Sequence, residues 1–252
     1  RGAVALLLAA ILTAVCLGGC AGKPDPFRQQ AIRAQEAGLK GQELLNVGED
    51  RRAQKSFEKS LTINQSIDNP LGTARQLYNL GAVALTRGDL KESRELLQQA
   101  LLLNQGLGDS AGAAINLANL ATAAYKGGDL LRAAGYLEEA RLQARQSGEP
   151  KVLGQVLCQM AGLALDRQDP GSAAVLLEEA RATASTPTVQ GSWHYQQGRL
   201  ALARGETGRA VDFFQEALGA DRKILNRPGM GADLQGLGQA WEQRAECSRA
   251  FL

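Results

Sequence analysis

A pattern of small residues recurs about every forty residues along this 252-residue chain, and it constrains the fold more than any other feature. It is clearest between Leu71 and Asn104. The small residues of the first half of each unit are Gly41, Gly81, Ala121, Ala161, Gly198 and Gly238, with one shorter step before Gly198. A repeat of this length predicts stacked helix pairs rather than one compact core.

The second half of each unit carries a small residue followed four positions later by a large apolar one. The small residues are Ala53, Ser93, Ala133, Ala173, Ala210 and Ala250, and the large ones are Phe57, Leu97, Leu137, Leu177 and Phe214. Small residues on one helix make room for large side chains of its neighbour, so the two helices of a unit should pack closely. Ala250 places the end of the chain inside the second helix of a sixth unit, which indicates a fragment.

Glycine, aspartate and proline mark the helix ends. Gly88-Asp89 and Gly128-Asp129 are typical of a helix stop followed by an N-cap, and Asp89 with Glu92 has the spacing of a capping box. The prolines precede helices or lie in a spacer, and none interrupts a helix. Helices are predicted near residues 27–47, 51–67, 70–87, 90–106, 111–127, 130–147, 150–168, 170–184, 188–204, 207–225 and 230–245.

The stretch from Asn79-Leu80-Gly81 to Ala100-Leu101 resembles the tetratricopeptide repeat (TPR), and the resemblance extends from Ala34 to the end. The forty-residue period is similar to the long-helix class found in scaffolds that regulate G-protein signalling. The resemblance implies an all-α, right-handed solenoid of stacked antiparallel helix pairs, with about six repeats and the last one incomplete. The repeats would lie near residues 34–70, 74–110, 114–150, 154–187, 191–227 and 231–252.

In this family the first helices line a concave groove that binds a peptide segment of another protein. The positions implied here are Tyr78, Asn79, Asn119, Tyr125, Gln159, Tyr195, Gln196 and Arg199. Four of them, Asn79, Asn119, Gln159 and Gln196, occupy the same place in consecutive repeats. Amides offer both donors and acceptors to a peptide backbone. The alternative is that they bond only neighbouring helices or water, as most polar side chains on helices do.

The first residues have the form of an export signal. Ala3 to Leu17 is an apolar run after Arg1, too short to span a bilayer comfortably. Leu17-Gly18-Gly19-Cys20 resembles the bacterial lipobox, whereas Cys16 follows the bulky Val15. This implies a lipoprotein signal peptide at residues 1–19, lipidation of Cys20, a spacer at residues 20–26 and a solenoid at residues 27–252. The alternative is an ordinary signal peptide or a short anchor helix.

Other features of the sequence bear on the localisation of the protein and on whether it is an enzyme. Ala21 after the cysteine resembles the signal for an outer-membrane lipoprotein that faces the periplasm. The 28 basic and 26 acidic residues nearly balance and form no basic block, which argues against nucleic-acid binding. His194 is expected to face the partner helix, and Cys158 and Cys247 are too far apart for a disulfide. No pattern suggests a catalytic residue, metal or cofactor, so a non-enzymatic protein is predicted.

The sequence therefore predicts a lipid-anchored TPR adaptor that binds a segment of another cell-envelope protein and supports complex assembly. Two alternatives remain open: a pilotin-like assembly factor of a secretin or type IV pilus system, and an accessory subunit that positions an envelope enzyme. The forty-residue period differs from the pilus type.

Overall fold

The computed structural model describes residues 25–250, with side chains from 25 to 245. These residues form eleven helices: α1 Pro26–Asn46, α2 Asp50–Ser66, α3 Pro70–Arg87, α4 Leu90–Leu107, α5 Ser110–Lys126, α6 Leu130–Ser147, α7 Pro150–Asp166, α8 Pro170–Arg181, α9 Pro187–Ala203, α10 Thr207–Lys223 and α11 Arg227–Ala250. No strand occurs in this part of the chain. The predicted all-α solenoid is confirmed, and most helix ends lie within three residues of their predicted positions.

Side chains and glycines at the turns fix where these helices begin and end. The side chains of Asn69 and Asp109 accept hydrogen bonds from the backbone N–H groups of Gly72 and Gly112, at 3.1 and 2.9 Å. Gly88 ends α3 with φ of 86°, a left-handed conformation that glycine adopts without a steric penalty. The capping box predicted at Asp89 is wrong, because its side chain makes no cap hydrogen bond and instead pairs with Arg87 at 2.7 Å.

Each first helix packs against the second helix of its own unit, as the alternation of small and large residues predicted. A Cβ atom added at Gly81 of α3 would lie 2.8 Å from Leu97 Cγ of α4, and one added at Gly198 of α9 would lie 2.7 Å from Phe214 Cε1 of α10. Leu97 and Phe214 are fully buried. The absence of a side chain on the first helix therefore sets the distance between the two helices.

Substituting Gly81 with leucine should separate α3 from α4 and lower the free energy of unfolding by about 1–3 kcal/mol, a typical effect of overpacking. Chemical denaturation of the purified protein measures this loss. Gly135→Leu is the matched control, because a side chain at Gly135 of α6 would meet nothing within 4 Å. The control should be neutral or slightly stabilising, since leucine favours helix more than glycine does. Equal losses in both variants would contradict the packing argument.

The last unit differs from its prediction. Ala250 lies in the same helix as Gly238, because α11 runs without a break from Arg227 to Ala250. The predicted second helix of the sixth unit is therefore wrong within the described residues. The segment between Gly238 and Ala250 contains no glycine or proline that would end a helix.

The shorter step between Ala161 and Gly198 is taken up by one short helix. The helix α8 has 12 residues, whereas its counterparts α4 and α6 have 18 each.

The first and last units of the described array approach each other. Arg227 at the start of α11 donates a hydrogen bond to the backbone oxygen of Val47, after α1, at 3.5 Å. No helix in the described part of the chain has the length and apolar character of a membrane span.

Candidate functional site

The largest group of predicted groove residues surrounds one cavity between α5, α7 and α9. This central cavity has a volume of about 470 Å³. Five of the eight predicted residues line it: Tyr125, Gln159, Tyr195, Gln196 and Arg199. Ala121, Leu137 and Leu163 add apolar surface, and Gln239 of α11 also contributes. The cavity therefore combines apolar surface with side chains that can donate and accept hydrogen bonds.

A hydrogen-bonded network crosses the central cavity. The guanidinium of Arg199 contacts Asp166 Oδ1 at 2.5 Å and Gln196 Oε1 at 3.1 Å. Asp166 also accepts a hydrogen bond from Tyr125, which raises the pKa of that phenol above its ordinary value. Three successive first helices thus hold one another's polar groups in place. The positive charge of Arg199 is balanced by Asp166, so the two together present no net charge to a ligand.

Asp166 was not predicted from the sequence. It lies at the last residue of α7, and the corresponding residue of the preceding unit is Lys126. Because the repeat pattern does not carry an acid at this position, the internal alignment gave no signal for it. Only the approach of α9 to α7 brings Asp166 and Arg199 together, 33 residues apart in sequence.

Two further cavities lie toward the start of the array. One of about 590 Å³ lies between α1 and α3 and contains the predicted residues Tyr78 and Asn79. Its lining is rich in amides, namely Gln35, Gln42, Asn64, Asn69, Gln76 and Asn79, and among the described residues Arg75 is the only charged one that lines it. The other, of about 380 Å³, shares Arg75 and Tyr78 with the first and continues toward α5. Together they form an N-terminal groove that is separate from the central cavity.

The predicted residue Asn119 connects this N-terminal groove to α5. It lies outside the linings of the three cavities, but its side chain bonds to Tyr78, an interaction that partly offsets the burial that raises the pKa of that tyrosine. Tyr78 is therefore held from the next unit rather than free to turn into solvent.

The four amides that share one repeat position differ in their contacts. Asn79 Nδ2 donates to Gln76 Oε1 and Asn119 Nδ2 donates to the backbone oxygen of Ile115, both at 3.1 Å within their own helices. Gln196 accepts from Arg199, and the side chain of Gln159 is exposed. Three of the four amides thus have protein partners, and binding of a peptide by this row stays a prediction.

His194 packs against the partner helix. Its Nδ1 atom lies 2.8 Å from Glu216 Oε2 of α10, and its ring contacts those of Trp193 and Phe213. Burial lowers the pKa of His194 below its ordinary value, although Glu216 acts in the opposite direction. Burial therefore favours the neutral form of the imidazole. This is the environment of a packed histidine.

The cysteines and the possible metal ligands show no sign of a reactive site among the described residues. Cys158 is 2% exposed, and burial raises the pKa of its thiol to about 12, so it remains a protonated, small apolar residue at pH 7. Among the residues that the structure describes, no three His, Cys, Asp or Glu side chains are close enough to hold a metal ion. Both Cys20 and the side chain of Cys247 lie outside the described residues.

Comparison with known proteins agrees with this geometry. Residues 73–141 match the family model described as tetratricopeptide repeat. No curated protein matches the sequence significantly. The forty-residue class and the signal peptide stay predictions.

Solved structures extend the likeness over most of the chain. A Rap protein complexed with competence and sporulation factor matches with a TM-score of 0.59 and 10% identity, covering 89% of this chain and 67% of that one. A thermophilic TPR protein of Thermus thermophilus matches with a TM-score of 0.56 and 20% identity, covering 80% and 99%. PilF of Pseudomonas aeruginosa matches with a TM-score of 0.56 and 18% identity, covering 86% and 99%. At these identities the likeness shows the fold alone, which is that of a TPR solenoid.

Proposed function

We propose that this tetratricopeptide-repeat protein is a non-enzymatic adaptor, anchored to the bacterial envelope by a lipid on Cys20, that binds a segment of another envelope protein. The observation that carries the proposal is the central cavity, in which Tyr125, Asp166 and Arg199 from three units form one polar network beside apolar residues. Such a surface can bond a peptide backbone and also bury an apolar side chain of the segment. Because three helices hold the network in place, a segment binds to polar groups that are already ordered.

The N-terminal groove adds a different chemistry. Arg75 is exposed and makes no ion pair or hydrogen bond with any described residue, whereas Arg199 in the central cavity is paired with Asp166. In the cavity between α1 and α3, this unpaired cation among amides favours an acidic or neutral segment, whereas Asp109 and Glu149 line the adjoining cavity and disfavour an acidic residue there. The bound segment would therefore carry any acidic residue near Arg75 and neutral residues near the central cavity.

The proposed anchor confines the groove to the vicinity of the bilayer. Cys20 lies five residues before Asp25, the N-cap of α1, and an extended chain spans at most about 3.6 Å per residue. The start of α1 would thus lie within roughly 18 Å of the lipidated residue. Phe27 is 67% exposed at this end of the array, and the neighbouring Arg28 carries a positive charge that suits an anionic lipid surface.

Replacing both Asn79 and Asn119 with alanine should weaken capture of the partner while leaving the melting temperature nearly unchanged. Both amides are partly exposed and bond within their own helices, and Asn119 also bonds to Tyr78 of the preceding unit, so the fold loses only a few partly exposed hydrogen bonds of small net worth. The matched control is the double change Gln98→Ala and Gln99→Ala, which removes two exposed amides from α4, outside the groove. A large fall in melting temperature with capture intact would show that the two asparagines serve the fold alone.

The proposal as a whole is tested by crosslinked pull-down from membranes with the native lipid anchor retained. A single envelope protein crosslinked to the groove in the wild type, and lost in the Asn79/Asn119 variant but not in the control, is the expected result. Capture of a secretin or pilus subunit would favour the pilotin-like alternative, and capture of an envelope enzyme would favour an accessory subunit. Crosslinks confined to the outer faces of the second helices would overturn binding in the groove.

A further inference from the structure

Buried polar side chains recur in pairs where the second helix of one unit meets the first helix of the next. Three pairs have the same spacing of twelve residues: Asn64 with Gln76, Asn104 with Asn116, and Asp221 with Asp233. All six side chains belong to residues that are 5% exposed or less. Two junctions therefore carry amide pairs, whereas the junction between α10 and α11 carries two carboxyl groups.

The amide junctions show how this position holds polar side chains, whereas the junction between α6 and α7 has Ala144 and Val156 there. Asn64 Nδ2 donates to the backbone oxygen of Ser60 at 2.9 Å, and its Oδ1 accepts from Asn69 Nδ2 at 2.8 Å. The next helix starts directly against this side chain, since a Cβ at Gly72 would overlap it. A neutral amide fits because it brings no charge into the interior, even at the second junction, where Asn104 Oδ1 and Asn116 Oδ1 have no hydrogen-bond partner among the described residues.

The acid junction keeps the same packing but has carboxyl groups in place of the amides. Asn226 Nδ2 donates to Asp221 Oδ2 at 3.1 Å, and a Cβ at Gly229 would overlap Asp221 as it would overlap Asn64 at Gly72. The Oδ2 atom of Asp233 is buried and has no hydrogen-bond partner among the described residues. Two ionised carboxylates at this place would repel each other without solvent to screen them.

The surrounding groups do not neutralise the pair. Gly191 of α9 lies against Asp221, as do Asn226, just before α11, and Asp233 of α11. Burial, and to a lesser extent the charge of Asp221, raises the pKa of Asp233 to about 7. Burial also raises the pKa of Asp221, although the hydrogen bond from Asn226 acts in the opposite direction. Among the described residues no basic side chain lowers either pKa; Arg222, Lys223 and Arg227 are exposed.

We propose that a proton held by Asp233 fastens α11 onto α10, and that loss of this proton loosens the last helix of the array. The protonated Asp233 takes the place that the neutral amide of Asn116 takes three units earlier in the same register. Because Gln239 of α11 lines the central cavity, loosening α11 would open one wall of that cavity. The C-terminal end of the solenoid would thus respond to pH, whereas the amide junctions would not. A proton suits this site better than a metal ion, which needs more ligands than two carboxyl groups.

The direction of the pH effect follows from proton binding. A carboxyl exposed by the release of α11 has an ordinary pKa near 3.9, so between about pH 4 and pH 7 the released form has lost a proton that the docked form keeps. Over this range the opening equilibrium of α11 should increase about tenfold per pH unit. Above pH 7 both forms are ionised, so the opening equilibrium levels off at its highest value.

Hydrogen exchange of α11 in the full-length protein between pH 4.5 and 8.5 tests the proposal. Protection factors, which correct for the pH dependence of intrinsic exchange, should fall about fiftyfold in α11 from pH 5 to pH 7, whereas those of α3 stay constant. Asp233→Asn should remove this fall, because an amide holds its hydrogens at every pH. Should that variant fail to fold, Asp221→Asn should make the fall smaller without removing it, because the neighbouring charge is lost while burial still raises the pKa of Asp233.

Asn116→Asp is the matched control, because it places a carboxyl opposite Asn104 and should bring pH-dependent exchange to α5 within the same range. An α11 protection profile that is flat with pH in the wild type would overturn the proposal. So would a fall of equal size in the wild type and in Asp233→Asn. These outcomes are independent of partner capture, since no ligand is present in the experiment.

Discussion

Replacing Phe214 with alanine is expected to lower the free energy of unfolding by about 3–5 kcal/mol, the largest single effect on stability that the structure indicates. Phe214 is fully buried on α10 and is enclosed by glycines of both neighbouring first helices. A Cβ would lie 2.7 Å from its Cε1 atom at Gly198 of α9 and 2.5 Å at Gly236 of α11. Glycines have no side chain that could move into the space left by the ring, so the cavity would persist.

Denaturation in urea, followed by circular dichroism at one fixed pH, measures this effect. Phe27→Ala is the matched control, because it removes the same ring from a residue that is 67% exposed at the start of α1. The control should change the free energy of unfolding by less than about 0.5 kcal/mol, as surface substitutions usually do. A loss of less than about 1 kcal/mol at Phe214 would show that α9 and α11 close around the cavity and that packing there is loose.

Replacing Cys20 with serine is expected to release the protein from the membrane. Two or more acyl chains hold a protein almost irreversibly, since each buried methylene contributes about 0.8 kcal/mol. Serine has no thiol to accept the lipid. Among residues 25–250, no helix has the length and apolar character to hold the protein in the membrane in place of the lipid.

Fractionation of cells that express the full-length chain, followed by immunoblotting, measures this release. Cys16→Ser is the matched control, because it removes a cysteine four residues earlier while leaving Leu17-Gly18-Gly19-Cys20 intact. The control should remain in the membrane fraction. Membrane association that survives Cys20→Ser would reject lipid anchoring and favour an uncleaved anchor helix instead.

The periodic part of this fold could be predicted from the sequence because its causes are local. Glycine, proline and aspartate act on the helix ends within a few residues of their own position, as Asn69 does at Gly72. The pairing of small with large residues is almost as local, because the two helices of a unit are joined by a short turn. The contact between Gly81 and Leu97 could therefore be predicted from the regular spacing of small and large residues along the sequence.

The last helix shows how the same reasoning failed. Aligning Ala250 with the earlier small residues predicted a second helix, although the segment before it lacks the glycine, proline and aspartate that mark the other turns. Because the segment has no helix-terminating residues, α11 continues through it. The register of a repeat indicates a turn only where turn residues accompany it.

By itself the sequence determined the first ten helices, their order and the faces they bury, because these depend on contacts within one unit. Only the tertiary structure decided which polar groups of different units meet, since the twist between units sets those distances and no spacing encodes it. It placed Asp166 beside Arg199 and enclosed Asp233 with Asp221 without a basic neighbour among the described residues. The central cavity and the acid junction both arise at this level.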